Sequence, residues 1–176
     1  MIPKLFCNKE DCMDKPYDAA WLEKIQRQEE LLVFDAPLSN RDALVLGLLA
    51  VEEAKRMEMS FSFRIIVNGA AVFSHLMDGT GLENEWWMDK KLNTVRETGI
   101  STLRLFCEIM GGLREAPGFL ENLSNYAVDG GCVPLRTNSG SIFGYMIASG
   151  NDHQYDHEVA VRAIAAFLKV GIPSLI

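Results

Sequence analysis

The chain has 176 residues, of which 48% are hydrophobic and 23% are charged, so one packed domain is expected and a disordered chain is excluded. Its formal net charge of −7 argues against nucleic-acid and anionic-membrane partners, because both depend on Lys and Arg neutralising phosphate groups. We find no secretory signal and no apolar run long enough to cross a bilayer, and therefore expect a cytoplasmic protein with reduced thiols.

The N-terminal third predicts two helices separated by a short strand. The first helix ends near Glu30, and residues 31–34 form an apolar strand candidate. Ser39 and Asp42 resemble a capping box ahead of a helix over residues 41–59. The first half of that helix is apolar nearly all round, so we expect it to be buried on more than one side.

The middle of the chain predicts a hairpin followed by two helices. Residues 61–67 alternate apolar and polar side chains, and an Asn-Gly pair separates them from a second strand over residues 70–76. Helices follow over residues 84–98 and 101–110, and glycines end both of them. The hairpin is therefore the most secure element of the prediction.

The C-terminal third predicts strands over residues 127–135 and 142–148 and a helix over residues 152–169. The resulting order, α-β-α-β-β-α-α-β-β-α, sets hairpins beside one another instead of separating strands by crossover helices. We therefore predict one α/β (α+β) domain over residues 1–176, with an antiparallel sheet and helices packed on its faces.

Trp87 and Lys91 lie one turn apart on a predicted helix, beside its core stripe. An aromatic surface next to a cation suits a planar, anionic ligand. The same spacing is also typical of a Trp that packs at a helix edge beneath the Lys stem, with the ammonium in water. Both interpretations stay open from the sequence.

Gly130-Gly131 interrupts a strand pattern, and glycine there permits positive φ or the close approach of a ligand or another backbone. A bulge without any ligand explains the pair equally well. Cys132 follows directly and is the most plausible exposed thiol, but no basic neighbour is identifiable that would lower its pKa. We do not predict it to be a nucleophile.

His153 and His157 are four residues apart on the last predicted helix, which is half of a workable metal site. Gln154 stands where a zinc-protease motif requires Glu. The pattern therefore favours a structural hydrogen bond made by His157, and we predict no metal. P-loop, dinucleotide-binding, serine-hydrolase and CxxC motifs are absent from the sequence.

A longer series of residues carries a family resemblance through its order and spacing. The series is Asp78-Gly79-Thr80, Asn84, Trp87, Lys91, Asn93, Gly130-Gly131, Pro134, Gly144, Ser149-Gly150 and Asp156-His157. In this order it resembles the haem-degrading-domain family of HbpS-like and GlcG-like proteins, in particular a small branch of bacterial and fungal members. The resemblance covers about residues 60–168, and residues 1–30 lie outside it as an N-terminal extension and helix.

The resemblance implies a fold similar to profilin, assembly into homo-oligomers, and haem or metal binding in some members. It also implies a set of residues near a shared pocket or subunit interface. These are Asn84, Trp87, Lys91, Gly130, Gly131 and His157. Asp129 and Asn151-Asp152 depart from the family pattern, which affects the expected chemistry of the pocket more than the fold.

We therefore hypothesise a cytoplasmic homo-oligomer that binds a small anionic ligand, with haem suggested by the resemblance. Lys91 would supply charge, Trp87 stacking and His157 an imidazole. The alternative is a protein-interaction module without a small ligand, and the sequence leaves catalysis undecided. The apolar helix over residues 41–59 and the tail over residues 172–176 are candidates for burial between subunits.

Overall fold

The computed structural model describes residues 17–150 and 152–176, and Cys7 and Cys12 lie outside them. In chain order the elements are α1 (Ala20–Leu31), β1 (Val33–Phe34), α2 (Asn40–Arg56), β2 (Ser62–Val67), β3 (Ala70–Leu76), α3 (Leu82–Thr98), α4 (Thr102–Met110), a 3-10 turn (Gly118–Glu121), β4 (Cys132–Thr137), β5 (Ile142–Ser149) and α5 (His153–Leu168). The predicted order of helices and strands is confirmed. Over these two ranges, no helix combines the length and the apolar character that a bilayer span requires.

The five strands form one mixed sheet in the order β1-β4-β5-β2-β3. The β2–β3, β2–β5 and β4–β5 pairs are antiparallel, as predicted, but β1 runs parallel to β4. The prediction of a purely antiparallel sheet is therefore wrong at this edge. The reason is that β1 has no hairpin partner: it reaches β4 from the end of α1, and Leu31, expected in the strand, ends that helix.

The predicted hairpin is present with its turn at Asn68-Gly69. Both turn residues have positive φ, 48° and 85°, which is the conformation that matches the right-handed twist of the flanking strands. Asn68 N also donates to Phe143 O at 2.8 Å. The turn is thus tied to the neighbouring strand β5 as well as closing its own hairpin.

Helices cover both faces of the sheet, and β2 contributes to both cores. Phe61, Phe63 and Ile65 are fully buried in the cluster beneath α2 and α5. Ile66 points the opposite way and packs with residues of α3 such as Met88. The alternation along one strand therefore builds two apolar layers, one on each side of the sheet.

The solvent-facing side of α2 differs from the prediction. Leu44, Val45 and Leu48 are 49%, 46% and 54% exposed, so burial on more than one side is wrong for the single chain. Gly47 explains how the opposite side packs, because a Cβ there would lie 2.5 Å from the Phe73 ring. Close packing on one side of the helix leaves the apolar side chains of the other side uncovered.

The C-terminal tail packs on its own chain. Leu175 is buried in a cluster that includes Trp21 and Ile25 of α1. Gln28 Nε2 donates to Pro173 O at 2.8 Å, which holds the tail beside α1. Most of this apolar segment is therefore used within the chain, although Ile176 remains 45% exposed.

Candidate functional site

Lys91 points into the protein from α3 and is only 2% exposed. Its Nζ donates to Asp156 Oδ2 at 2.6 Å and to Ala148 O at 3.1 Å. Asp156 Oδ1 accepts from Gly150 N at 2.6 Å. Burial raises the pKa of the Asp156 carboxyl, while Lys91 and the Gly150 N–H act in the opposite sense. The Lys91 ammonium is thus occupied by protein groups on α5 and β5.

Gly130 and Gly131 lie where three segments of backbone meet. A Cβ on Gly130 would be 2.3 Å from His153 O, and a Cβ on Gly131 would be 2.4 Å from Ala148 O. Gly131 also has φ of +124°, a conformation that other residues rarely adopt. The close approach that the glycine pair permits is therefore an approach by other parts of the chain.

Asn84 links the start of α3 to the end of β5. Its Oδ1 accepts from Gly81 N at 3.0 Å, and its Nδ2 donates to Ser149 O at 3.2 Å. Together with Lys91 and the two glycines, it surrounds the segment where β5 passes into α5. We call residues 148–157 the β5–α5 junction. Four of the six predicted site residues contact this junction through internal packing and hydrogen bonds.

His157 is fully buried on α5, and its Nε2 lies 3.0 Å from Gln28 Oε1. The Gln28 amide nitrogen donates to Pro173 O, so Oε1 must face the imidazole and His157 carries its proton on Nε2. Burial lowers the pKa of His157 to about 3, and the nearby His153 lowers it further. The predicted structural hydrogen bond of His157 is confirmed, and the ring is neutral at pH 7.

The surroundings of His157 do not fit an axial ligand to haem iron. Its Nε2 donates to Gln28, and its Nδ1 is buried without a hydrogen-bond partner among the described residues. A ligating imidazole needs a lone pair that an iron atom can reach. Within the part of the chain that the structure describes, no group of three or more His, Cys, Asp or Glu side chains is placed to hold a metal ion.

Cys132 is buried, which corrects the expectation of an exposed thiol. Burial raises its pKa well above the usual range, although Lys91 and Arg96 lower it. Cys107 is buried too, and its pKa is raised to about 12. Neither thiol has the thiolate character that a nucleophile needs.

The outer face of α3 forms a groove of about 620 Å³ with the segment at Ser124-Asn125. Trp86 lines it and is 57% exposed, and Lys90 and Arg96 line it as well. Asp89 also contributes a carboxylate, but Arg64 forms an ion pair with it from β2. The groove therefore combines an indole with an excess of positive charge.

Trp87 is half-buried at the edge of this groove, and Lys90 Nζ lies 5.0 Å from its ring centroid. The sequence interpretation followed the inner side of α3 through Trp87 and Lys91 and therefore missed the groove. The helical spacing of Trp86, Lys90 and Asn93 places them on one outward face. The opposite wall comes from a distant loop, for which no local signal exists.

Comparison with known proteins places this fold in a family. The family model described as "Haem degrading protein HbpS-like" matches residues 38–165. UPF0303 proteins of Brucella melitensis and Brucella canis are each 32% identical over 143 residues, which is 81% of this chain and 84% of theirs. The chain belongs to the HbpS-like family of haem-degrading proteins. The matched residues of this HbpS-like chain include the groove and the β5–α5 junction.

Solved structures share this fold at lower identity. The Ybr137w protein superposes with a TM-score of 0.73 at 24% identity, covering 86% of this HbpS-like chain and 90% of its own. PduOC in its haem complex gives a TM-score of 0.64 at 24% identity, with 78% and 99% covered. HbpS gives 0.61 at 22% identity, with 77% and 93% covered. These likenesses establish a common architecture of helices on a five-stranded sheet.

Proposed function

We propose that this HbpS-like protein is a cytoplasmic, homo-oligomeric binding protein whose small anionic ligand occupies the groove on the outer face of α3. The supporting observation is that Lys90 and Arg96 share this groove with the exposed indole of Trp86. Because Arg64 pairs with Asp89, the two cations are not offset by that carboxylate. A planar anion gains stacking on the indole and charge-assisted hydrogen bonds to the cations.

Ligand contact by the six residues predicted from the sequence stays a prediction. Their internal contacts support an indirect role, in which Asn84 and Lys91 fix α3 to the β5–α5 junction. Trp87 lies beneath Lys90 and limits where that ammonium can move. In this proposal Gly130, Gly131 and His157 shape the support of the groove, whereas Trp86, Lys90 and Arg96 contact the ligand.

Haem is the first ligand to test. The family description names haem degradation, and PduOC has been solved as a haem complex. Haem is planar and carries two carboxylates, so its propionates suit Lys90 and Arg96 and its macrocycle suits an indole surface. The proposal gives no iron ligand to His157, which is fully buried and bonded to Gln28.

The test is a titration of the purified chain with haem, followed in the Soret region, and with iron-free protoporphyrin, followed by tryptophan fluorescence. We expect saturable binding of both, weakened about tenfold or more in Lys90→Gln and in Arg96→Gln, since a hydrogen bond to a charged group contributes about 1.5–3 kcal/mol. Lys169→Gln is the matched control, because that exposed lysine follows α5 and does not line the groove.

The outcomes separate the parts of this proposal. Equal affinities in the wild type, Lys90→Gln and Arg96→Gln would overturn the groove as the binding site. A Soret band lost only in His157→Ala would assign haem to the imidazole instead. Absence of saturable binding by either porphyrin would remove this ligand class.

The alternative function is a protein-interaction module on a profilin-like fold, without a small ligand. The exposed apolar side chains Leu44 and Leu48 support it, because a monomeric protein rarely leaves such a patch on a helix uncovered. A thermal-shift screen in which no small anion raises the melting temperature would favour this alternative over ligand binding.

A further inference from the structure

We propose that two copies of this chain associate through the solvent-facing side of α2, with the two helices antiparallel about a twofold axis. The axis passes between Val45 and Leu48, so that each Val45 packs against Leu48 of the other copy. This inference deepens the homo-oligomeric part of the proposed function by naming the surface and its pairing. It is independent of whether the groove on α3 binds an anion.

The first observation is an apolar patch that the single chain leaves uncovered. Leu44, Val45 and Leu48 are each about half exposed, at 49%, 46% and 54%. Ala43 and Leu46 on the other side of the same helix are fully buried. An exposed apolar patch on an otherwise well-packed helix marks an interaction surface more often than a free surface.

The second observation is the charge at the two ends of the patch. Arg41 lies before it and Glu52 after it, and both side chains are exposed. They are separated by about three turns of about 3.6 residues each, so they lie on the same face as the patch. One end of the surface is therefore positive and the other negative, with apolar residues between them.

These two observations fit a second copy of the chain as the partner. Turning the helix about an axis midway between Arg41 and Glu52 sets each Arg41 against the other copy's Glu52, and Val45 against Leu48. Such a self-complementary patch is what a twofold interface requires. A net charge of −7 makes two copies repel one another generally, so contact is favoured where the surface is apolar and its charges match.

Lys55 is the other charged side chain that contacts Glu52. Its Nζ lies 2.8 Å from Glu52 Oε1, yet the Glu52 side chain remains 55% exposed. One carboxylate can accept from both Lys55 and an Arg41 of the partner, since it has two oxygens. The intrahelical pair therefore orients Glu52 without closing it to the second copy.

The test measures the mass of the full chain by light scattering and sedimentation over a range of concentrations. A contact of one helix pair predicts a reversible association, so the apparent mass should rise from 19.7 kDa towards twice that value with concentration. Leu48→Glu should weaken the association at least about tenfold, because it places two carboxylates at the centre of the interface. Leu113→Glu is the matched control, since Leu113 is 71% exposed outside α2.

Charge reversal tests the antiparallel pairing itself. Arg41→Glu alone and Glu52→Arg alone should each weaken association, because each sets like charges against one another. The double variant Arg41→Glu/Glu52→Arg should recover most of the lost affinity, since both contacts are restored with reversed sign. Circular dichroism checks that α2 remains folded in every variant.

Each result has a distinct meaning. A wild-type chain that stays at 19.7 kDa at all concentrations would overturn both the oligomeric part of the proposed function and this surface. A wild-type oligomer that Leu48→Glu leaves intact would overturn the α2 surface alone. Weakening by Leu48→Glu without recovery in the double reversal would overturn the antiparallel pairing.

Discussion

The ion pair between Lys91 and Asp156 joins α3 to the first turn of α5 inside the protein. The two charged atoms are 2.6 Å apart, and both side chains are at most 4% exposed. Ala148 O and Gly150 N supply further hydrogen bonds to the pair. Removing one partner from such a pair leaves the other charge buried and uncompensated, which costs about 3–5 kcal/mol in proteins.

We therefore expect Lys91→Met to lower the free energy of unfolding by about 3 kcal/mol or more, and Asp156→Leu to do the same. The double variant should lose clearly less than the sum of the single losses, because neither charge is then left alone. Urea unfolding followed by circular dichroism measures all three. Lys90→Met, on the outer face of α3, is the control and should change stability by less than about 1 kcal/mol. Additive losses would show that the two side chains do not act as a pair.

At this scale the residue types were predictable from the sequence, and their partners were not. Helical spacing placed Lys91 beside the inner stripe of α3, but Asp156 is 65 positions away along the chain. The same holds for His157, whose structural hydrogen bond was predicted while its partner Gln28 is 129 positions distant. A local pattern carries no information about which distant group the fold brings into contact.

Among the elements, α2 shows how a local signal fixes a helix end. Ser39 Oγ accepts from Asp42 N at 3.1 Å, and Asp42 Oδ2 accepts from Ser39 N at 3.2 Å. Both bonds lie within four successive residues, so the sequence alone predicted this capping box correctly. The hairpin turn at Asn68-Gly69 was predictable for the same reason.

Element boundaries that depend on distant packing were predicted less well. The fourth strand was expected from residue 127 but begins at Cys132, because Gly130 and Gly131 instead pack against the backbone of His153 and Ala148. The parallel partner of β1 and the one-sided burial of α2 also depend on residues far along the chain. Apolar composition indicates that a segment is buried somewhere, but not which of its sides is covered.

Replacing Ser39 with Ala tests the energetic value of the cap. We expect the free energy of unfolding to fall by about 1 kcal/mol, because an orphan N–H at the helix start loses its acceptor. The measurement is the urea midpoint at unchanged m-value. Ser60→Ala, at an exposed position outside any helix or strand, should leave the midpoint unchanged. A loss equal in the two variants would argue against a contribution of the capping box.

Across the whole molecule, a buried polar cluster connects α1, α5 and the tail. Gln28 bridges His157 and Pro173, and Glu158 Oε2 accepts from Leu175 N at 3.2 Å. Arg162 Nε donates to Glu158 Oε1 at 2.9 Å and closes the cluster towards solvent. Segments from both ends of the described chain therefore meet around one neutral imidazole.

This cluster makes global stability depend on pH. His157 has a pKa of about 3 in the folded protein, against about 6.5 in an unfolded chain, so the unfolded state binds the proton more readily. Stability contributed by the neutral ring is complete above pH 6.5 and is lost as pH falls towards 3, at up to about 1.4 kcal/mol per pH unit. His157→Gln should be less stable at pH 7 but flatter between pH 6.5 and 4. Unfolding curves at successive pH values measure this, and parallel slopes in the two proteins would contradict it.

The parallel edge of the sheet also has a consequence for the rate of folding. The β2–β3 hairpin closes through a two-residue turn and belongs to a class that forms in about 1–10 μs. Pairing Val33 with Arg136, by contrast, requires a chain segment of about a hundred residues to close first, with a corresponding entropy cost. We infer that β1 joins late during refolding. Until it does, the outer edge of β4 is open to strands of other chains, so refolding yield should fall as protein concentration rises.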